Sequence, residues 1–379
     1  MQAPSWYRNC LFQGMPTLFL CGDVMTGRGI DQVLPHPSQP GLHEDYVKSA
    51  AEYVDLEVQT SGPIPKPVNF SYVWGDAIVE LERVRPDARI VNLETSVTTC
   101  EDYDPKGINY RMHPANTPCL TAAKIDCCEL ANNHVLDWGR TGLLETLSVL
   151  RAGGIQTAGA GRNRTEALEP AVVQRNQSRV LVFAFGMTDS GVPGDWEATD
   201  LTPGVALLAG PLERRVGLVS ETVRARKRPG DIAVLSIHWG PNWGYQVPAE
   251  HRRFAHAVIE SAGVDIVHGH SCHHPKPIEI YKGKPILYGC GDFLNDYEGI
   301  RGYEEYRGDL VLMYFVTMDP ATGCVQGLTM TPLKIKHFRL GHANRPDARW
   351  LRDTLNREGR QTGTQVTLTT DDRLVLDWH

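Results

Sequence analysis

Short, uninterrupted apolar runs alternate with amphipathic stretches through the first 300 residues. "TLFLCG" (17–22), "ARIVNLE" (88–94), "DCCELAN" (126–132), "RVLVFAFG" (179–186), "DIAVLSIHWG" (231–240) and "GVDIVHGH" (263–270) have the length and continuity of strands buried on both faces. Between them, "EDYVKSAAEYVDLEV" (44–58), "WGDAIVELERV" (74–84), "GLLETLSVLRAGG" (142–154) and "AEHRRFAHAVIESAG" (249–263) carry helical patterning. The third of these stops at a Gly pair, as helices do. Apolar strands separated by helices predict an α/β fold. A Pro-rich stretch, "SGPIPKPVNF" (61–70), interrupts the pattern once.

After residue 300 the texture changes. "DLVLMYFVTMD" (309–319) and "GLTMTPLKIKHFRL" (327–340) predict a hairpin, followed by a helix over "DARWLRDTLNRE" (347–358) and short strands. No internal repeat and no Gly/Ser-rich linker divides the chain. The expected organisation is an N-terminal tail (1–16), one catalytic domain (17–300) and a β-rich C-terminal extension (301–379) packed on that domain.

Composition narrows the class. With 41% hydrophobic and 22% charged residues, the chain can bury a full core. A net charge of −7 argues against a nucleic-acid partner, and the longest basic run, "RARKR" (224–228), reads as a solvated helix end. Nine cysteines without a CxxC, two of them adjacent at Cys127 and Cys128 in an apolar run, suit reduced buried thiols and a cytoplasmic protein. No run of 18 apolar residues predicts a membrane anchor. The opening "MQAPSWYRNCLFQG" lacks the apolar core of a signal peptide, and Met15 is an alternative start.

Functional residues of α/β proteins collect beyond the carboxyl ends of strands. Here those positions hold Asp23, Glu94, Asn133 and His134, His238, His270 with His273 three residues on, and Asp292. His268, His270, His273 and His274 fall within seven residues. Any one of these is unremarkable as a cap, a turn or a packed histidine. Together, carboxylate, amide oxygen and imidazole make a ligand set for one or two divalent ions such as Mn, Zn, Fe or Ca, and the lack of thiolates argues against structural zinc.

The ordered motifs "GDVMTGRG", "NLETSVT", "ANNHVLDWG", "SIHWG" and "HGHSCHHPKPIEIYKGKPILYGCGDF" resemble the CapA family of capsule and poly-γ-glutamate synthesis proteins, over roughly residues 16–300. That family is a branch of the calcineurin-like metallophosphoesterase superfamily. The resemblance implies a four-layer α/β/β/α sandwich. It also implies Asp23, Glu94, Asn133, His238, His270 and His273 as metal ligands and His134 as the residue that protonates a leaving group. Met25 stands where the superfamily's first motif has a histidine, and a thioether is a poor ligand for a hard ion, so one half of a two-metal centre is weakened.

Other residues suggest substrate contacts: Arg28 in "TGRG", Arg111 and His113 in "NYRMHP", and Trp239 in "HWGPNWGY". "GAG" (159–161) is too short for a dinucleotide fingerprint. Three functions compete. The first is metal-dependent hydrolysis of a phosphoester or glutamyl/peptide bond, with His134 as general acid oriented by Asp137. The second is epimerisation at a peptide α-carbon, with His134/Asp137 and His273 or His274 with Asp292 as acid–base pairs. The third is an accessory role in polymer synthesis without catalysis. The partner expected is a small-molecule or peptide substrate, and a homodimer is compatible with this reading.

Overall fold

The computed structural model describes residues 14–175 and 178–378; most of the expected tail, residues 1–13, lies outside the described residues. The chain is mixed α/β with two main sheets. The larger contains β1 (Thr17–Leu20), β2 (Asp23–Val24), β3 (Ala88–Leu93), β6 (Cys127–Glu129), β7 (Gln156–Ala158), β16 (Asp292–Leu294), β17 (Leu310–Met318), β18 (Val325–Lys336), β19 (Arg339–His342), β20 (Thr364–Leu368) and β21 (Leu374–Trp378). The smaller contains β9 (Ala171–Arg175), β10 (Ser178–Gly186), β12 (Ile232–His238), β13 (Ile266–His270), β14 (Ile278–Tyr281) and β15 (Lys284–Leu287). Two side ladders pair β4 (Ser96–Val97) with β5 (Arg111–Met112) and β8 (Ala160–Gly161) with β11 (Gly204–Val205).

Alternation along the smaller sheet explains its fully apolar strands. Val180, Val182, Ala184, Ile232 and Val234 join one core with Leu18, Phe19 and Leu20 of the larger sheet. Their neighbours Leu181, Phe183, Phe185, Ala233 and Leu235 join another with Phe254 and Val258 of the helix Ala249–Ala262. Both faces are therefore buried, as continuous apolar runs require.

Two expectations shift in detail. The helix expected over 44–58 runs instead from Ala50 to Ser61, opened by a capping box between Ser49 and Glu52. Glu44 lies outside that helix and forms a buried ion pair with Arg28. The segment after residue 300 supplies β17, which pairs antiparallel with β1 from Thr17↔Thr317 to Leu20↔Tyr314, and the expected hairpin is the β17–β18 pair. The C-terminal segment is thus part of the same sheet as the first strand.

Candidate metal centre

Strand ends from both sheets meet at one point. Gly22 lets β2 start beside the loop before β16: a Cβ there would lie 1.8 Å from the Gly291 carbonyl oxygen. The Asp23 amide donates to that same oxygen at 2.9 Å, and Asp23 is in register with Asp292 on β16. Glu94 follows β3. Asn132 braces the turn after β6, donating to the Leu93 carbonyl at 2.9 Å and accepting from the His134 amide at 3.1 Å, which sets Asn133 and His134 at the site. From the smaller sheet, His238 and His270 end neighbouring parallel strands in register. Ser271 then takes a left-handed conformation (φ 87°), a strained choice for a non-glycine, and its amide donates to Asp23 Oδ2 at 3.2 Å.

Ligand atoms of Asp23, Glu94 and His238 all lie within 4.8 Å of one another. Asn133 Oδ1 is 3.0 Å from His238 Nε2, and His270 Nδ1 is 3.2 Å from Asp23 Oδ1. His273 Nδ1 is 2.8 Å from Asp292 Oδ1, whose other oxygen accepts from Asn295 at 2.8 Å. Glu94 Oε2, His238 Nδ1 and both His270 ring nitrogens are buried without a well-aligned hydrogen bond. Unpaired buried polar atoms are costly, and a group of them around Asp23 and Glu94 suits a ligand cradle. Carboxylate, amide oxygen and imidazole suit a divalent cation. Asp23, Glu94, Asn133, His238, His270 and His273 are the residues that would hold it.

Burial and crowding shift the titration of these groups. Burial, and then the Asp23 and Asp292 carboxylates, push the Glu94 carboxyl well above its usual range. Burial pushes His238 down to about 3 against the pull of Asp23. Burial alone would depress His270, but Asp23 and Glu129 outweigh it and push the ring up to about 9. A divalent cation at this point would relieve the crowding of carboxylates.

Beside these residues sits a second dyad. His134 Nδ1 is 2.6 Å from Asp137 Oδ2, and Lys106 Nζ is 2.7 Å from Asp137 Oδ1 and also donates to the Asn133 carbonyl. Burial, with Lys106 adding to it and Asp137 opposing, pushes His134 down to about 4. Its Nε2 lies 3.7 Å from Glu94 Oε1. Glu94, Asn133, His134, His238, His273 and Tyr297 share the lining of a cleft of about 60 Å³.

Residues 17–297 match the model of the bacterial capsule synthesis protein family, PGA_cap. The chain belongs to this family. It is 47% identical over 363 residues, 95% of each chain, to a probable polyglutamine synthesis accessory protein of Mycobacterium tuberculosis. The PGA biosynthesis protein CapA of Bacillus subtilis is 30% identical over 225 residues, 59% of this chain and 56% of that one. The capsule biosynthesis protein CapA of Bacillus anthracis is 27% identical over 321 residues, 84% and 67% respectively.

In this PGA_cap chain, several residues expected to contact substrate are engaged by partners within the chain. Arg28 is buried with its donors occupied: Nε and Nη2 on Asp296 at 3.1 and 2.6 Å, Nη1 on Glu44 and the Tyr53 hydroxyl, both at 2.9 Å. Arg111 packs over Trp138 and donates to the Cys100 carbonyl and Glu101. His113 caps a short 3-10 turn through the Ala115 amide. Trp239 is stacked on His251 in the outer core of the smaller sheet. None of the four is among the residues lining the cleft, although Arg28 lies behind its wall, 4.5 Å from the Tyr110 ring centroid. His274 is fully buried among Trp243, Tyr245 and Tyr306, beside the cleft rather than in it. Trp243, not Trp239, stands by a candidate ligand, with ring centroids 5.2 Å apart at His273. Met25 accepts from the Tyr297 hydroxyl at 3.4 Å.

Sequence reasoning missed Lys106, Glu129 and Tyr297. Only Glu129 carried a readable signal, a carboxylate inside the buried run "DCCELAN". No helix among the described residues is long and apolar enough to cross a membrane.

Proposed function

We propose that this chain is a metal-dependent hydrolase, of the four-layer metallophosphoesterase-like kind, that cuts a glutamyl-type amide bond in capsule or poly-glutamate synthesis. The reading is carried by one observation: buried ligand atoms of Asp23, Glu94 and His238 lie within 4.8 Å of one another, with unpaired atoms on Glu94, His238 and His270, at a cleft whose lining includes His134 of the His134–Asp137 dyad. A bound divalent ion supplies Lewis acidity to water and to the scissile carbonyl. Asp137 keeps the His134 proton on Nδ1, so Nε2 faces the cleft as a base, accepts a proton as the nucleophile attacks, and returns it to the leaving nitrogen. Tyr110 and Tyr297 wall the cleft.

The choice of an amide over a phosphoester rests on charge. Among the described residues no Lys or Arg lines the cleft, Lys106 is engaged by Asp137, and Arg28 by Asp296 and Glu44. Beyond the proposed ion, a phosphate dianion would find no free cationic side chain there among the described residues, and an amide needs none. The accessory role remains a second reading because the 47% identical relative is named an accessory protein.

The test pairs metal content by mass spectrometry with turnover of γ-glutamyl peptides and aryl phosphates. Expected are bound metal, cleavage of glutamyl amides, and a His134→Ala variant that keeps its metal while losing about 100- to 10,000-fold in rate. Cleavage of phosphates alone would refute the bond class. Deuterium entering a peptide α-carbon without cleavage would point to epimerisation. Full metal with no turnover at all would favour the accessory reading.

A further inference from the structure

Behind His270 lies a buried polar string that plays no part in the cleft. Glu129 ends β6 in the larger sheet, and His268 and His270 alternate on β13 in the smaller, so both rings face it across the seam. Glu129 Oε2 is 3.1 Å from His270 Nε2 and 3.3 Å from His268 Nδ1. His268 Nε2 is 2.8 Å from the Cys21 carbonyl oxygen, two residues before Asp23. All three side chains are sealed from solvent, at 0–1% exposure. A carbonyl only accepts, so His268 donates through Nε2, and its ring is fixed with Nδ1 toward Glu129. A sealed carboxylate carries a large desolvation penalty that apolar packing would avoid, and a chain keeps such a group where it specifies something.

We propose that Glu129 and His268 are positioning residues of the metal centre. Glu129 accepts the Nε2 proton of His270, which leaves Nδ1 free as a ligand on the Asp23 side. His268, anchored by its Nε2 donation to the Cys21 carbonyl, packs against Glu129 and limits where the carboxylate can sit. A histidine ligand whose second nitrogen is fixed by a carboxylate is oriented and made more basic. The ion favoured is a transition-metal dication that accepts imidazole, rather than Mg or Ca. This inference rests on the metal reading above.

The full chain, stripped with chelator, is titrated with Co(II) and with Mn(II), following bound metal by equilibrium dialysis and mass spectrometry and the Co(II) absorption spectrum. Circular dichroism and the metal-free Tm check folding. In Glu129→Gln the affinity is expected to fall about 10- to 100-fold at unchanged stoichiometry, with a shifted Co(II) spectrum. His268→Asn gives a smaller loss in the same direction. An unchanged affinity and spectrum in folded Glu129→Gln would overturn the proposal. Loss of one whole equivalent, with the remaining ion bound as before, would also overturn it, because the trio would then ligate an ion of its own. Should Glu129→Gln fail to fold, His268→Asn decides by the same criteria. A wild-type chain that binds no metal defeats the function proposed above together with this inference, whereas normal wild-type binding with unaffected variants defeats this inference alone.

Discussion

Two buried charged clusters lie five residues apart in sequence. Around Arg28, the guanidinium meets Asp296 in a bidentate pair and Glu44 and Tyr53 on its other side, and the Gly29 amide also donates to Asp296. Around Asp23, carboxylate crowds carboxylate, and Glu94, His238 and His270 keep atoms without aligned partners. Both clusters are buried. What separates them is saturation: the first cluster is matched within the chain, and the second keeps unpaired ligand atoms. Arg28 looked like a substrate contact from sequence because a buried guanidinium and a ligand-seeking one read alike until their partners are known.

That contrast can be broken experimentally. The largest effect is expected at the unsaturated cluster: His238→Ala should cut bound metal from near stoichiometric to trace while the metal-free Tm holds, measured by mass spectrometry and calorimetry on one preparation. Arg28→Met should do the reverse. Removing the cation leaves Asp296 and Glu44 buried and unpaired, a loss of about 3–5 kcal/mol by denaturant titration, with metal affinity per folded molecule unchanged. A metal-binding defect in Arg28→Met without loss of stability would erase the distinction.

Glu94→Gln should show both sides at once. Metal binding falls, yet the metal-free protein gains on the order of 1 kcal/mol, because one of three crowded carboxylates is gone. A metal-free Tm below wild type would count against the crowding.

The smallest effect lies in an intermediate case, where Glu57 and Glu298 meet near the His337 and Phe338 amides, with Lys336 close by. Burial, and then the Glu57 carboxyl against the pull of the Phe338 amide, push Glu298 up to about 8. An unfolded Glu loses its proton near pH 4.5, so from there to about pH 8 the folded chain holds a proton that the unfolded chain has lost. Stability therefore falls with rising pH across that window. Glu298→Gln should flatten this slope, matching wild type near pH 5 and exceeding it by about 1 kcal/mol above pH 8. Parallel Tm curves would show that the two acids share no proton.

The strand-end residues were legible because a strand buried on both faces is a continuous apolar run, and the first polar residue after it marks the end. The resemblance to known motifs then suggested which of these are ligands. Partners brought together by sheet register were not legible. Nothing local to Arg28 announces Asp296, 268 positions away, and nothing near His268 announces Glu129. His273 and His274 are adjacent in an irregular loop, where no periodicity tells which ring faces the cleft and which is packed among tyrosines and Trp243. The β-rich tail was readable as a hairpin, but not as the neighbour of the first strand.

That last pairing bears on where the chain can be cut. Similarity to the family model ends at residue 297, an inviting place to trim a gene to a minimal version. β17 begins beyond it, at Leu310, and covers one whole side of β1. A trimmed chain would leave the apolar strand "TLFL" with a bare row of amide and carbonyl groups, open to any other strand in solution. Such a fragment would keep every proposed ligand and still tend to clump, so its insolubility would say nothing about whether the ion-binding half is intact.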